Sequence, residues 1–122
     1  MIYTCSTVIK RVAIDQVRHH LPDLMDTAFT RLEQQELHHR HVRSTAGMLA
    51  LKKALCSLLG QKTGAKFTEK SFVLSHTDSG KPILVSRPPF LKDSNPTQTL
   101  FLSISHSRHT AYGLAVLQEA GK

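Results

Sequence analysis

Residues 44–60, STAGMLALKKALCSLLG, predict one long helix that ends at Gly60, because a residue without Cβ can adopt the left-handed conformation of a helix cap. One side of this helix is almost bare of side chains: it carries Ala46, Gly47, Ala50 and Ala54. Another side carries a bulky stripe: Leu51, Leu55, Leu58 and Leu59. A helix that is apolar on two sides is expected to be buried on two sides and to form the centre of the fold. Lys52 and Lys53 interrupt its middle, so the fold has to accommodate two ammonium groups there.

Length and composition predict a single soluble domain over residues 1–122. The chain is 40% hydrophobic and 20% charged, which is ordinary for a globular protein. Its apolar runs are far shorter than the about 20 residues that span a bilayer, and residues 1–10 lack the pattern of a secretion signal. Cys5 and Cys56 have no metal-type spacing, so we interpret them as reduced thiols of a cytoplasmic protein, with Cys56 in the core.

The charge of the chain favours an anionic partner. The formal net charge is +7 and the sequence pI is about 9.8. Nucleic acid, a phosphate-rich cofactor and an acidic protein are all compatible with this charge. Aromatic residues make up only 6% of the chain, and it shows no helix-turn-helix, zinc-finger or aromatic RNA-binding signature. We therefore expect no nucleic-acid partner, and no membrane partner either.

The first forty residues predict one strand followed by short helices. Residues 7–14 are rich in β-branched side chains and predict a strand. It leads into Asp15, which is suited to cap a helix over residues 16–21 that is broken near Pro22. Residues 29–37 predict an amphipathic helix with Phe29, Leu32 and Leu37 inward. Glu33 and Glu36 are expected on its solvent side.

Five histidines raise the question of a metal site. They lie at positions 19, 20, 38, 39 and 41. Histidines at helical spacing can share an ion, but Arg40 and Arg43 surround the second group, and no carboxylate or cysteine completes a ligand set. A solvated helix start is the favoured interpretation.

The second half of the chain predicts strands. Strands are expected over 71–76, 83–85, 100–105 and 111–117, with a turn at 77–82, an exposed loop at 87–98 and a frayed tail at 118–122. In the third strand Leu100, Leu102 and Ile104 share one face, opposite Phe101. The predicted fold class is α+β, with an antiparallel sheet of about three to four strands packed on one long central helix.

Five segments in this order resemble the small, holo-acyl-carrier-protein-synthase type of 4′-phosphopantetheinyl transferase. They are Ile14-Asp15, which is similar to an opening Gly-(Ile/Leu)-Asp with Ala13 for glycine; residues 29–36; the helix frame of Ala46-Gly47 with Lys52, Ala54 and Gly60; the turn Gly80-Lys81-Pro82; and Ser103-Ile-Ser-His-Ser107 followed by Ala111. Together they cover nearly the whole chain.

The resemblance implies a reaction and its partners. A serine of an acyl carrier protein attacks the β-phosphate of coenzyme A and releases 3′,5′-ADP, normally with Mg²⁺, a chemistry associated with fatty acid biosynthesis. By the same resemblance, Asp15 would be a metal ligand and a catalytic residue. Gly80, Lys81 and Pro82 would frame the adenine, and Ser105, His106 and Ser107 would approach the ribose and 3′-phosphate. It also implies a homotrimer, or a mixed oligomer, with active sites between subunits.

The sequence departs from the family where the metal and pyrophosphate bind. Lys53 stands at the position of the second carboxylate ligand, Ser57 at that of a pyrophosphate-binding lysine, and Met48 at that of an arginine. An ammonium removes a ligand and repels the ion, by roughly 4 kcal/mol per unit charge at 4 Å and an effective dielectric constant of about 20. These changes argue against Mg²⁺ held by Asp15 alone.

Three explanations remain open. Lys53 could neutralise the pyrophosphate in the metal's place and so act as a catalytic residue. Glu33 or Glu36 could supply the missing carboxylate. Alternatively, the chain is a catalytically impaired homologue that binds coenzyme A or carrier protein, or that partners an active subunit. If Lys53 has no role in catalysis, it is expected to pair with Asp15.

Overall fold

A computed structural model of the chain describes residues 2–86 and 98–120. Its elements are β1 (Tyr3–Ala13), α1 (Ile14–His19), α2 (Leu21–Ala28), α3 (Arg31–Leu37), α4 (Val42–Thr63), a 3₁₀ turn (Glu69–Ser71), β2 (Val73–His76), β3 (Pro82–Ser86), β4 (Gln98–His106) and β5 (Thr110–Ala120). The predicted α+β class with one long helix is confirmed.

The strands form two antiparallel sheets. The larger one has the order β1-β5-β4, so the last strand of the chain is central, with Ile9 opposite Leu114 and Phe101 opposite Val116. The smaller one is the β2-β3 hairpin. The predicted alternation in β4 is confirmed, because Leu100, Leu102 and Ile104 pack against the core while Phe101 is 52% exposed.

Helix α4 lies against the inner face of the larger sheet at very short range. All eight residues of its bare side and leucine stripe are fully buried in the described structure: Ala46, Gly47, Ala50, Leu51, Ala54, Leu55, Leu58 and Leu59. A Cβ at Gly113 of β5 would overlap the backbone of Ala50 and Leu51, and one at Gly47 would lie 2.5 Å from Cγ2 of Ile104. The helix and the sheet therefore lie so close together that neither glycine position has room for a side chain.

The ends of several elements differ from the predictions. Helix α4 continues past Gly60 to Thr63 and is capped by Gly64, which takes φ 73° and donates its N–H to Gly60 O. Ile14 begins α1 instead of ending β1, and the cap of α1 is Ala13, with Asp15 inside the first turn. Residues 118–120 are paired with β1, so the predicted fraying is wrong for them. Most of the predicted 87–98 loop lies outside the described residues, but Gln98 begins β4.

Helix α3 differs from the prediction at two of its residues. Phe29 and Leu37 are buried as expected, but Leu32 is 67% exposed and Glu33 is 1% exposed. The reason is a capping box, in which the Thr30 backbone N–H donates to Glu33 Oε1 at 2.8 Å. This capping turn directs the Glu33 carboxylate into the protein instead of toward solvent.

The buried Glu33 explains one of the two lysines in α4. The Lys52 ammonium is fully buried and donates a hydrogen bond to Glu33 Oε1. It also donates to Ala28 O at 2.8 Å and lies 4.9 Å from the centroid of the Phe29 ring. The second oxygen of Glu33 accepts the N–H of Leu74 at 2.8 Å. Burial lowers the pKa of Lys52, and the hydrogen bond and charge of Glu33 oppose that shift. One ion pair thus joins α2, α3, α4 and β2.

Within the described part of the chain, no helix is long and apolar enough to cross a membrane.

Candidate functional site

The turn between β2 and β3 is fixed by its own hydrogen bonds. The Thr77 N–H donates to Lys81 O and the Gly80 N–H donates to Thr77 O, both at 2.8 Å, while Thr77 Oγ1 accepts the Lys81 N–H at 3.1 Å. Gly80 takes φ 89°, which other residues rarely adopt. The turn therefore needs this glycine, and it places Pro82 at the start of β3.

The β4-β5 connection is a tight polar turn. The Ser107 N–H donates to Thr110 O at 2.8 Å, and Ser107 Oγ accepts the Thr110 N–H at 3.3 Å. Ser105, His106 and Ser107 are all exposed. The hydroxyl of Ser107 therefore serves the turn itself, whereas the imidazole of His106 is at the surface.

A cavity of about 190 Å³ brings part of the predicted cofactor site together. It is lined by Gly80, Pro82 and His106 with Arg40, Arg43, Ser44, His76 and Ile104. Lys81 lines a neighbouring, more apolar cavity of about 210 Å³ with Phe101 and Leu102 instead. Ser105 and Ser107 line neither of these two cavities. Three of the six predicted cofactor residues thus share one pocket.

Two arginines of this pocket were missed by the sequence analysis. Arg40 follows α3, and Arg43 lies in the first turn of α4. The position of Arg40 is supported by Glu36, whose Oε1 is 3.5 Å from Arg40 Nη2 and 3.1 Å from His76 Nδ1. The available signal was the pair of arginines around the start of the central helix, which stand among the histidines of that segment.

Asp15 and Lys53 each have another partner. Asp15 Oδ1 is 2.6 Å from Arg18 Nη1, with both side chains more than half exposed. Lys53 Nζ is 3.3 Å from Glu69 Oε1. The expected pairing of Lys53 with Asp15 is therefore wrong.

Lys53 lines a third cavity, of about 370 Å³, which we call the lysine groove. It is lined by Lys10, Lys53, Cys56, Ser57, Phe67 and Glu69. Cys56 is half-buried and packs against the core, and desolvation is the main reason that the pKa of its thiol is raised to about 11. Met48 is fully buried, so it cannot replace a ligand-facing arginine.

The donor set does not fit a magnesium ion. Glu33, one of the two candidate replacement carboxylates, is buried against Lys52, and Glu36 is engaged by Ser75, His76 and Arg40. Among the described residues, no group of three or more His, Cys, Asp or Glu side chains is placed to hold a metal ion.

Comparisons with known proteins agree on one fold. No profile of a known protein family matches the chain. A holo-[acyl-carrier-protein] synthase of Chlorobaculum parvum is 33% identical over 75 residues, which is 62% of this chain and 60% of that protein. The chain thus matches about three fifths of the length of this curated relative.

Solved structures match over almost the whole chain. A holo-(acyl-carrier-protein) synthase of Bacillus anthracis in complex with CoA (3′,5′-ADP) has a TM-score of 0.73 at 21% identity, covering 93% of this chain and 96% of its own. The ACPS-CoA complex of Chronobacterium ammoniagenes has a TM-score of 0.76 at 20% identity, covering 97% and 99%. The resemblance predicted from the sequence is confirmed: the chain has the fold of the small, holo-[acyl-carrier-protein]-synthase type of the 4′-phosphopantetheinyl transferase superfamily.

Proposed function

We propose that the chain transfers 4′-phosphopantetheine from coenzyme A to a serine of an acyl carrier protein. The serine oxygen forms a bond to the β-phosphorus, the bond from that phosphorus to the bridging oxygen breaks, and 3′,5′-ADP leaves with that oxygen while the serine proton passes to solvent. The observation that carries the proposal is the pocket that unites Gly80, Pro82 and His106 with Arg40 and Arg43.

The chemistry of this pocket suits the nucleotide end of coenzyme A. Two guanidinium groups offer paired donors to a 3′-phosphate, and the imidazole of His106 can donate to the same group or to the ribose. Gly80 and Pro82 present a wall without polar side chains, against which an adenine ring can lie. Lys81 and the two serines have weaker support, since they lie outside this pocket.

The remaining expectations follow from the same proposal. A net charge of +7 suits both coenzyme A and an acidic carrier protein. Free cysteines suit the reducing cytoplasm. Asp15 and Lys53 are proposed as catalytic residues, with Asp15 as the one carboxylate at the family's metal position and magnesium not expected to bind there.

Two observations support an assembly with sites between subunits. Arg43 and Lys53 are ten positions apart on α4, which is about 15 Å along the helix, and their two cavities share no lining residue. The 3′-phosphate and the pyrophosphate of coenzyme A are attached to the same ribose. One coenzyme would therefore use the arginine pocket of one copy and the lysine groove of another.

The outer face of the larger sheet is a suitable contact for such an assembly. Ile9 is 61% and Phe101 is 52% exposed, and both lie beside apolar residues of β5, namely Leu114 and Val116. Light scattering after gel filtration should give the mass of a trimer. Leu114→Glu, in the middle of this face, should reduce the mass to that of the monomer, whereas Leu32→Glu, on exposed α3, should not. A monomeric wild-type protein would contradict the proposal.

The transfer itself can be tested by mass spectrometry. An apo carrier protein incubated with the full chain and coenzyme A should gain the mass of one phosphopantetheine. Arg43→Ala should lower kcat/KM for coenzyme A about tenfold, the usual effect of losing one charge-assisted contact.

The control for this experiment is dephospho-coenzyme A, which lacks the 3′-phosphate. If Arg43 binds that phosphate, wild type and Arg43→Ala should use dephospho-coenzyme A equally well. An equal loss with both substrates would mean that Arg43 acts on the fold and not on the ligand.

A binding protein without catalysis is the second candidate. It is favoured by Lys53 and Ser57 at positions of a carboxylate and a lysine, and by the engagement of Asp15 with Arg18. The same incubation decides between them: calorimetric binding of coenzyme A without any mass gain would establish this alternative.

A further inference from the structure

The lysine groove has an excess of positive charge and a hydroxyl group. Lys53 and Ser57 are one turn apart on α4, and the Ser57 hydroxyl lies 3.5 Å from Gln61 Nε2. Glu69 is the groove's carboxylate, and it bonds Lys53 at 3.3 Å. The raised pKa of Cys56 keeps its thiol neutral near pH 7. The lining residues therefore sum to one net positive charge.

Lys10 is brought to this groove by the alternation of β1. It stands two residues from both Val8 and Val12, which pack against the core, and alternate residues of a strand share a face. Lys10 therefore lies on the sheet face that α4 covers. Its partner in the pairing is Gly113, the residue that touches the backbone of α4. The edge strand and the helix thus present their ammonium groups to the same cavity.

We propose that Lys10, Lys53 and Ser57 form a metal-independent subsite for a diphosphate group, and that Glu69 occupies Lys53 until the anion displaces it. The inference rests on the proposed function, in which the diphosphate is the pyrophosphate of coenzyme A. Two ammonium groups and a hydroxyl supply charge and donors to adjacent phosphoryl groups without an ion. The Lys53–Glu69 ion pair is partly exposed to solvent, and ion pairs at this exposure are weak. A diphosphate can therefore readily replace Glu69 as the partner of Lys53.

Glu69 is expected to weaken the binding of a diphosphate. Its carboxylate repels the incoming anion and competes with it for Lys53. Removing its charge should therefore tighten binding.

Titration calorimetry of the full chain with inorganic pyrophosphate, in buffer with EDTA, tests the subsite. Lys10→Gln and Lys53→Gln should each weaken binding about fivefold to tenfold, and Glu69→Gln should tighten it about threefold to fivefold. Lys70→Gln is the matched control, because Lys70 is exposed beside Glu69 but does not line the groove. It should change the affinity by less than about twofold.

The possible results distinguish failure of the proposed subsite from failure of the proposed transferase activity. Absence of pyrophosphate binding, binding that requires Mg²⁺, or weaker binding by Glu69→Gln would overturn the subsite even if mass spectrometry shows transfer. Pyrophosphate binding with the expected order of variants, but without any mass gain on the carrier protein, would leave the subsite standing and refute the transferase.

Discussion

Replacing Lys52 by alanine should lower the free energy of unfolding by about 3–5 kcal/mol, the usual cost of removing one partner from a buried ion pair. The substitution leaves the Glu33 carboxylate fully buried beside an empty space where the ammonium stood. It also removes the donor to Ala28 O and the cation that lies against the Phe29 ring. The carboxylate is also held inside the protein by its other oxygen, which accepts the Leu74 N–H.

Urea denaturation followed by circular dichroism measures this loss, and the next residue provides the control. Lys53 makes an exposed pair with Glu69, so Lys53→Ala should cost less than about 1 kcal/mol. Two variants of neighbouring lysines with equal stability would show that the burial of Lys52 is incorrect.

Replacing Gly113 by alanine should be nearly as damaging, with a loss of about 3 kcal/mol or more, at the upper end of what overpacking costs. The added Cβ meets backbone atoms of Ala50 and Leu51, not the end of a flexible side chain, so α4 itself has to move away from β5. Such a shift would loosen the fully buried leucine stripe along the helix.

Gly60→Ala is the matched substitution within the helix. Its Cβ would lie 3.4 Å from Ala65 O, an ordinary contact, and alanine favours a helix by up to about 1 kcal/mol over glycine. Thermal melts should therefore show a lower Tm for Gly113→Ala and an unchanged or higher Tm for Gly60→Ala. A Gly113→Ala variant as stable as wild type would contradict the close packing of helix and sheet.

Local pattern was sufficient for the architecture. The periodicity of α4 and the alternation of β4 depend on neighbouring residues alone, and both predictions hold. The prediction that α4 ends at Gly60 was wrong because two glycines four residues apart were equally suitable as caps, and the turn between them is helical. Glu33 was misplaced because the capping box that it forms with Thr30 was not recognised, and because its ion-pair partner, Lys52, is 19 positions away in sequence.

The site was predictable in part for the same reason. Gly80, Pro82 and His106 belong to short motifs that resemble a family, and the fold brings them to one pocket. Arg40 and Glu69 belong to no such motif, and only the folded chain places them beside His76 and Lys53. Lys52 and Lys53 are adjacent and chemically identical, yet one is an internal structural group and the other faces a cavity.

The Glu33 carboxylate anchors the hairpin that carries one wall of the arginine pocket. The β2-β3 hairpin carries the Gly80–Pro82 turn, and it forms a sheet of its own, separate from the three-stranded one. Its first strand is attached to the core through the Leu74 amide and Glu33. Residues that never touch a ligand therefore set the resting position of one wall of the pocket. In a set of random variants, loss of nucleotide affinity should map to this internal anchor as readily as to the pocket lining.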